Sequence, residues 1–127
     1  MDTAPKQRRT CVLVVGSDPA IRAACVGWEH DHLVFCTEDL LDGLSYAQSV
    51  LLDVVVVQYE FAAHSGPLIL AAAHKISPTA HLVITSSSEE AAAQSLVSSG
   101  VADVFVSMKE LGSTLERVGR NSGKRHP

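Results

Sequence analysis

The chain has 127 residues, which is the size of one domain, and 46% of them are apolar while 19% are charged. This composition excludes an intrinsically disordered chain, and a net charge of −4 gives no reason to expect nucleic-acid binding. We find no signal-peptide pattern and no apolar run that could span a bilayer, so we expect a cytoplasmic chain without membrane contact.

Five short apolar runs, rich in valine, are the predicted strands. They cover residues 11–15, 33–36, 54–57, 82–85 and 104–106. The apolar residues are continuous along each run rather than alternating with polar ones. This pattern is typical of strands buried on both faces of a parallel sheet.

Helical patterns separate the strands, and the first is the clearest. Asp18 is a good N-cap, Pro19 stands at the favoured first position, and apolar residues recur every three or four positions after it. The second helix is predicted over 38–48, with Leu40, Leu44 and Ala47 facing inward. The third is predicted to begin at Gly66 and to continue to residue 75.

The last two helices have weaker patterns. The run of serines at 86–88 before two glutamates predicts a capping box between Ser87 and Glu90, and Gly100 is the expected left-handed residue at the end of this fourth helix. The fifth helix is predicted over 109–120, with its apolar face formed by Leu111, Leu115 and Val118.

Five alternating strand–helix units predict an α/β fold with a doubly wound parallel sheet. We expect one domain over residues 10–120, with an N-terminal tail at 1–9 and, at 121–127, either a C-terminal tail or the start of a linker. In such sheets, functional sites lie beyond the carboxyl ends of the strands. The candidate site residues are therefore those that follow the strands: Gly16, Ser17, Asp18, Gln58, Tyr59, Glu60, Ser86, Ser87, Ser107 and Met108.

Four motifs in order resemble the receiver domain of two-component signalling. The chain has "VLVVGSDPAIR" where the family reads like "VLVVDDDPAIR", and "LDVVVVQYEFAAHSG", "LVITSS" and "GVADVFVSM" match the later strands. Asp53 and Gly66 match the family's strand-start aspartate and its glycine. The resemblance implies five strands in the order 2-1-3-4-5, with five helices.

The positions that depart from the family pattern are the ones whose residues carry out the family's chemistry. The phosphoacceptor aspartate of the family matches Gln58, and its two magnesium-binding carboxylates match Gly16 and Ser17. Its lysine matches Ser107, and of the active group only the hydroxyl position keeps its type, at Ser86. The resemblance therefore implies an atypical pseudo-receiver without a catalytic residue, a metal site or a cofactor.

Asp18 and the fifth strand leave two alternatives open. Asp18 lies one residue beyond the family's metal pair and is interpreted as a helix cap rather than a cation ligand. The family's switch aromatic matches Val104, or Phe105 if one gap is allowed. Receivers commonly associate through the fourth helix, fifth strand and fifth helix. The corresponding candidate interface for a homodimer contains Leu96, Val104, Phe105, Met108 and Lys109.

Other site patterns find little support in the chain. The "HDH" of residues 30–32 lacks further histidines nearby, and the single glycine of "GSDP" falls short of a dinucleotide-binding fingerprint. No nucleophile elbow of the GxSxG type is present. We therefore expect a non-enzymatic domain.

Two functional hypotheses follow. The first is a phosphorylation-independent signalling module that binds a protein partner, which is another signalling domain, a kinase or a second copy. The second is a sensor of a small anion or polar ligand. It assumes that the pocket has become neutral and rich in hydroxyl and amide groups near helix N-termini.

Overall fold

The computed structural model describes residues 10–115, in which the five strands form one parallel sheet. The strands are β1 (Cys11–Val15), β2 (Leu33–Thr37), β3 (Val54–Gln58), β4 (His81–Thr85) and β5 (Val104–Phe105). They are ordered β2-β1-β3-β4-β5, and every neighbouring pair is parallel. The predicted fold class and strand order are confirmed.

Four α-helices of the described residues connect the strands: α1 (Pro19–Trp28), α2 (Leu40–Ser49), α3 (Gly66–Ile76) and α4 (Glu90–Ser98). A short turn (Phe61–His64), whose backbone is not right-handed helix at Ala62 and Ala63, precedes α3. The start of α1 is as predicted, because a carboxylate oxygen of Asp18 accepts a hydrogen bond from the N–H of Ala20 at 2.9 Å. The start of α2 lies two residues later than predicted, since Asp39 caps it through the N–H of Leu41.

The start of α4 differs from the prediction. Glu89 rather than Ser87 is the N-cap residue, so the predicted capping box between Ser87 and Glu90 does not form, and the Glu89 side chain accepts no capping hydrogen bond either. Instead, the hydroxyl oxygen of Ser86 accepts a hydrogen bond from the N–H of Glu89 at 2.7 Å. The end of α4 is as predicted, with Gly100 left-handed at a φ of 87°.

The chain after β4 also departs from the expected elements. Strand β5 has two residues rather than three, and a 3₁₀ helix (Met108–Ser113) stands where the fifth helix was expected to begin. The indole N–H of Trp28 donates to the carbonyl of Gly112 at 3.1 Å, which holds this segment against α1. Leu111 and Leu115 are buried, as predicted for the apolar face of this segment. Residues 116–120 of the predicted fifth helix, with Val118, and both tails lie outside the described residues.

Two apolar layers cover the faces of the sheet, because successive residues of each strand point to opposite sides. One layer packs α2, α3 and α4 against strand residues such as Leu13, Val55 and Val57. The other packs α1 and the 3₁₀ helix against Val12 and Val14. Full burial of one Leu or Ile side chain contributes about 1.5–3 kcal/mol, so these layers are the main source of stability.

Two aspartates accept hydrogen bonds from backbone N–H groups at the amino ends of β1 and β4. A carboxylate oxygen of Asp53 accepts a hydrogen bond from the N–H of Cys11 at 2.8 Å, and Asp103 does the same for Leu82 at 2.8 Å. The carboxyl ends carry the polar loops described next. Among the described residues, no helix is both long and apolar enough to cross a bilayer.

Candidate functional site

The carboxyl ends of β1, β3 and β4 bring most of the predicted site residues together. The register places Val15 beside Val57, and Gln58 beside Thr85. The loops after these three strands therefore begin side by side. Gly16, Ser17, Asp18, Gln58 and Ser86 all lie at this edge, as the sequence predicted.

The Gln58 side chain joins the three loops. Its amide oxygen accepts hydrogen bonds from the N–H groups of Ser17 at 2.8 Å and Asp18 at 3.1 Å. Its amide nitrogen donates to the hydroxyl of Ser87 at 3.2 Å and to a carboxylate oxygen of Glu60 at 3.5 Å. Both donors and both lone pairs of the amide are therefore used, in a side chain that is only 4% exposed.

Two glycines leave room for this arrangement. A Cβ at residue 16 would lie 2.4 Å from Cδ1 of Ile21 and 2.9 Å from the amide oxygen of Gln58. A Cβ at residue 66 would lie 2.7 Å from the backbone carbonyl oxygen of Gln58. A carboxylate side chain at residue 16 therefore requires both Ile21 and Gln58 to move.

The site is not neutral, and the expectation of a pocket without negative charge is wrong. The carboxylate of Glu60 accepts hydrogen bonds from the hydroxyl of Ser86 and from the N–H groups of Ser87 at 3.1 Å, Ser88 at 3.0 Å and Glu89 at 3.0 Å. A charged side chain from the loop after β3 therefore occupies the N-terminus of α4, where helix geometry favours an anion.

The environment of Glu60 stabilises its charged form. Partial burial alone raises the pKa of this carboxyl, but hydrogen bonds from the Ser86 hydroxyl and from the backbone N–H groups of Ser88 and Ser87 outweigh that effect. Together they lower the pKa of Glu60 from 4.5 to about 2. Glu60 is therefore ionised at neutral pH.

A left-handed turn follows Glu60. Ala62, Ala63 and His64 have φ values of 50°, 58° and 69°, a conformation that costs a non-glycine residue about 1–2 kcal/mol. The turn brings the imidazole of His64 to 2.8 Å from a carboxylate oxygen of Glu89 and edge-on to the ring of Tyr59. The loop after β3 thus contacts the start of α4 at two points.

Ser107 lies apart from this group. It precedes the 3₁₀ helix, and its carbonyl accepts a hydrogen bond from the N–H of Glu110 at 3.0 Å. Within residues 10–115, Ser107 is not among the hydrogen-bond partners of Gln58 or Glu60. In the same range, no three His, Cys, Asp or Glu side chains converge as metal ligands.

The candidate interface residues divide between the interior and the surface. Leu96 and Phe105 pack in the apolar layer that contains α2, α3 and α4, and Met108 packs in the layer that contains α1. Val104 is 37% exposed on the edge strand β5, and Lys109 is exposed in the 3₁₀ helix. The register pairs Val104 with Val83 and Phe105 with Ile84, so the two residues point to opposite faces.

Sequence reasoning missed Glu60 as the centre of the site. The sequence places Glu60 two residues beyond β3, but the predicted capping box assigns the start of α4 to its own serines. The available signal was a carboxylate that leaves the sheet at the same edge as the serine-rich start of a helix.

Comparison with known proteins reveals similarity in fold. No protein-family model matches the chain, and no curated protein sequence matches it. A response regulator receiver domain protein from Methanospirillum hungatei superposes with a TM-score of 0.78 at 15% identity, covering 94% of this chain and 100% of that one.

Two further solved structures give the same result. The signal receiver domain of an HD domain-containing protein from Pseudomonas fluorescens has a TM-score of 0.75 at 18% identity, covering 93% of this chain and 100% of that one. An adenylate cyclase from Rhodopirellula baltica has a TM-score of 0.76 at 15% identity, with 92% of each chain covered. The chain therefore has the fold of response-regulator receiver domains.

Proposed function

We propose that this chain is a receiver-like signalling module that acts by binding a protein partner, without phosphoryl transfer and without enzymatic activity. The fold shared with receiver domains supports the signalling role. The observation that carries the proposal is the Gln58 amide, which makes four hydrogen bonds at the end of β3.

The chemistry of phosphoryl transfer supports this proposal. The reaction requires a nucleophile and positive charge placed around the transferred group. The amide of Gln58 is neutral, and its oxygen already accepts hydrogen bonds from the N–H groups of Ser17 and Asp18. The carboxylate of Glu60 is ionised, but its oxygens are used by Ser86 and by the start of α4.

The anion-sensor hypothesis is disfavoured by the same contacts. A small anion beside Gln58 would need the N–H groups of the loop between β4 and α4. Those of Ser87, Ser88 and Glu89 already donate to Glu60. We therefore retain the protein-binding function alone.

The proposed partner surface is formed by α4, β5 and the 3₁₀ helix, and a second copy of the chain is one candidate partner. Exposed Val104 on the edge strand β5 supports this surface, because an edge strand presents backbone groups that a partner can pair with. Leu96 and Phe105 support this surface from one apolar layer and Met108 from the other, so none of the three is a free side chain.

The test is incubation of the chain with acetyl phosphate and millimolar Mg²⁺, followed by intact-mass spectrometry and light scattering. We expect no mass increase of a phosphoryl group and the same association state with and without the donor. The variant Gln58→Asp is the matched control. It restores a nucleophile but leaves Gly16 and Ser17 without carboxylates, so we expect it to remain unlabelled. Phosphoryl labelling of the wild-type chain on a carboxylate of the site would overturn the proposal.

A further inference from the structure

Two cysteines of different elements meet on one face of the sheet. Cys25 lies in α1 and is 2% exposed, whereas Cys36 lies in β2 and is exposed. The register places Cys36 beside Val14, and neighbouring residues of paired strands point to the same face. Val14 and Cys25 belong to one apolar layer, which contains α1. On that face the thiol of Cys25 donates a hydrogen bond to the sulfur of Cys36.

A second contact joins the same two segments. The guanidinium of Arg22, one helical turn before Cys25, lies 2.6 Å from a carboxylate oxygen of Glu38, which follows Cys36 by two residues. An exposed ion pair contributes little stability by itself. It does hold a positive charge close enough to the Cys36 sulfur to favour the thiolate.

The surroundings of the two thiols make them chemically different. The thiolate is the reactive form of cysteine. The hydrogen bond from Cys25 and the charge of Arg22 lower the pKa of Cys36. Partial burial and the carboxylates of Glu29 and Glu38 oppose this shift without reversing it. The hydrogen bond to Cys36 and burial raise the pKa of Cys25, so Cys25 remains a thiol.

We propose that Cys25 and Cys36 form a redox-sensitive dithiol, in which Cys36 reacts with a hydroperoxide and Cys25 then closes an intramolecular disulfide. In the first step the Cys36 sulfur attacks the O–O bond. An S–O bond forms and the O–O bond breaks, so Cys36 is oxidised to a sulfenic acid while the hydroperoxide is reduced to water or an alcohol, which takes up the thiol proton. In the second step the Cys25 sulfur attacks the sulfenic sulfur. An S–S bond forms, the S–O bond breaks, and water leaves with the Cys25 proton.

The placement of the cysteines favours a bond within one chain. A disulfide requires its two sulfurs to lie about 2 Å apart, and thiols that already share a hydrogen bond need only a short approach to reach that distance. Strand β2 lies at the edge of the sheet, which leaves Cys36 open to a small oxidant while Cys25 stays in the interior. Cys11 belongs to the apolar layer on the other face of the sheet, so the sheet separates it from this pair.

The test is treatment of the reduced full chain with equimolar hydrogen peroxide, then alkylation of the remaining thiols under denaturing conditions and peptide mapping by mass spectrometry. Digestion after glutamate cuts at Glu29, between the two cysteines. Of the three cysteines, we expect only Cys11 to remain open to alkylation, and a Cys25–Cys36 cross-linked peptide to appear in a monomeric chain. Dithiothreitol should restore all three thiols.

Three variants assign the roles. Cys25→Ala should stop at the sulfenic acid of Cys36, which a cyclic 1,3-diketone traps. Cys36→Ala should lose thiol about tenfold or more slowly than the wild-type chain, because it lacks the exposed sulfur that reacts first. Cys11→Ala is the matched control and should form the same cross-link as the wild-type chain. If a variant at the buried Cys25 or Cys11 fails to fold, the map of the oxidised wild-type chain still decides the pairing.

Three results would overturn the inference. They are survival of both thiols in peroxide, a disulfide between the Cys36 residues of two copies, and a disulfide that includes Cys11. The inference goes beyond the proposed function, since β2 lies at the opposite edge of the sheet from β5. Its outcome is independent of labelling by acetyl phosphate, so the two can fail separately.

Discussion

Gln58 illustrates how one amide can organise a site that a carboxylate would disrupt. An amide presents two donors and two lone pairs, and the neighbours of Gln58 supply two donors on one side and two acceptors on the other. One of those acceptors is the Glu60 carboxylate, at 3.5 Å from the amide nitrogen. A carboxylate at residue 58 would therefore face a second carboxylate.

The variant Gln58→Glu tests this contact with almost no change in side-chain shape. We expect it to lower the free energy of unfolding by about 1–3 kcal/mol at pH 7, because a buried charge then faces Glu60 and two donors are lost. Urea denaturation gives the measurement.

The control is the double variant Gln58→Glu with Glu60→Gln, which moves the charge from residue 60 to residue 58. It should recover part of the lost stability, since only one carboxylate remains. A Gln58→Glu variant as stable as the wild-type chain would show that the two side chains do not interact.

The left-handed turn at Ala62–His64 is the most strained of the described elements. Ala62 and Ala63 are exposed, so their methyl groups pack against little that could offset the positive φ values. The turn is maintained by contacts at its ends, namely buried Phe61 on one side and the His64–Glu89 pair on the other. It is therefore a place where glycine fits the backbone better than alanine.

Replacement of Ala63 by glycine should raise the free energy of unfolding by about 0.5–1 kcal/mol, because relief of the positive φ exceeds the added entropy of the unfolded chain. Thermal or urea denaturation measures the difference. The same change at Ala71, which is exposed within α3, should instead lower stability by about 1 kcal/mol. If both variants lost stability equally, the turn would not be strained.

The helices differ in how far along the sequence the capping side chain lies from the start of the helix. Asp18 caps α1 and Asp39 caps α2 from the adjacent residue, so the local pattern was sufficient to place both helices within two residues. At α4 the cap is Glu60, which lies 29 residues before Glu89. A local pattern contains no information about such a partner, and the predicted capping box was wrong for that reason.

The charge of Glu60 links this site to the stability of the whole domain. The pKa of Glu60 is about 2 in the folded chain and 4.5 in its ordinary state. A group with a depressed folded pKa contributes stability above its unfolded pKa, and that contribution is lost as the pH falls toward the folded pKa. The relevant window is therefore pH 4.5 down to about 2.

At pH 7 we expect the wild-type chain to be about 1–2 kcal/mol more stable than Glu60→Gln, a value reduced from the full pKa shift because Glu60 is only partly buried. This difference should shrink as the pH falls through the window just given. Urea denaturation of both chains at a series of pH values measures it. A difference that stays constant down to pH 3 would contradict the assignment of the low pKa to Glu60.

The fold was open to prediction because its signals are local and periodic. Continuous valine-rich runs, the Asp18–Pro19 start of α1 and the left-handed Gly100 each depend on a few neighbouring residues. The strands were confirmed, but burial on both faces holds for β1, β3 and β4 only, because β2 and β5 lie at the edges of the sheet. The meeting of Gly16, Gln58 and Ser86 followed from the parallel topology, since the ends of such strands share one edge.

The charge of the site, and the group that accepts hydrogen bonds from its N–H donors, depend on how the chain packs. Whether the start of α4 is capped by Ser87, by an external anion or by Glu60 is a question of distance between loops that lie far apart in the chain. The turn at Ala62–His64 decides which group caps α4, because it directs Glu60 toward that helix. Alanine gives no local sign of a positive φ, because that conformation is imposed by the contacts at both ends of the turn.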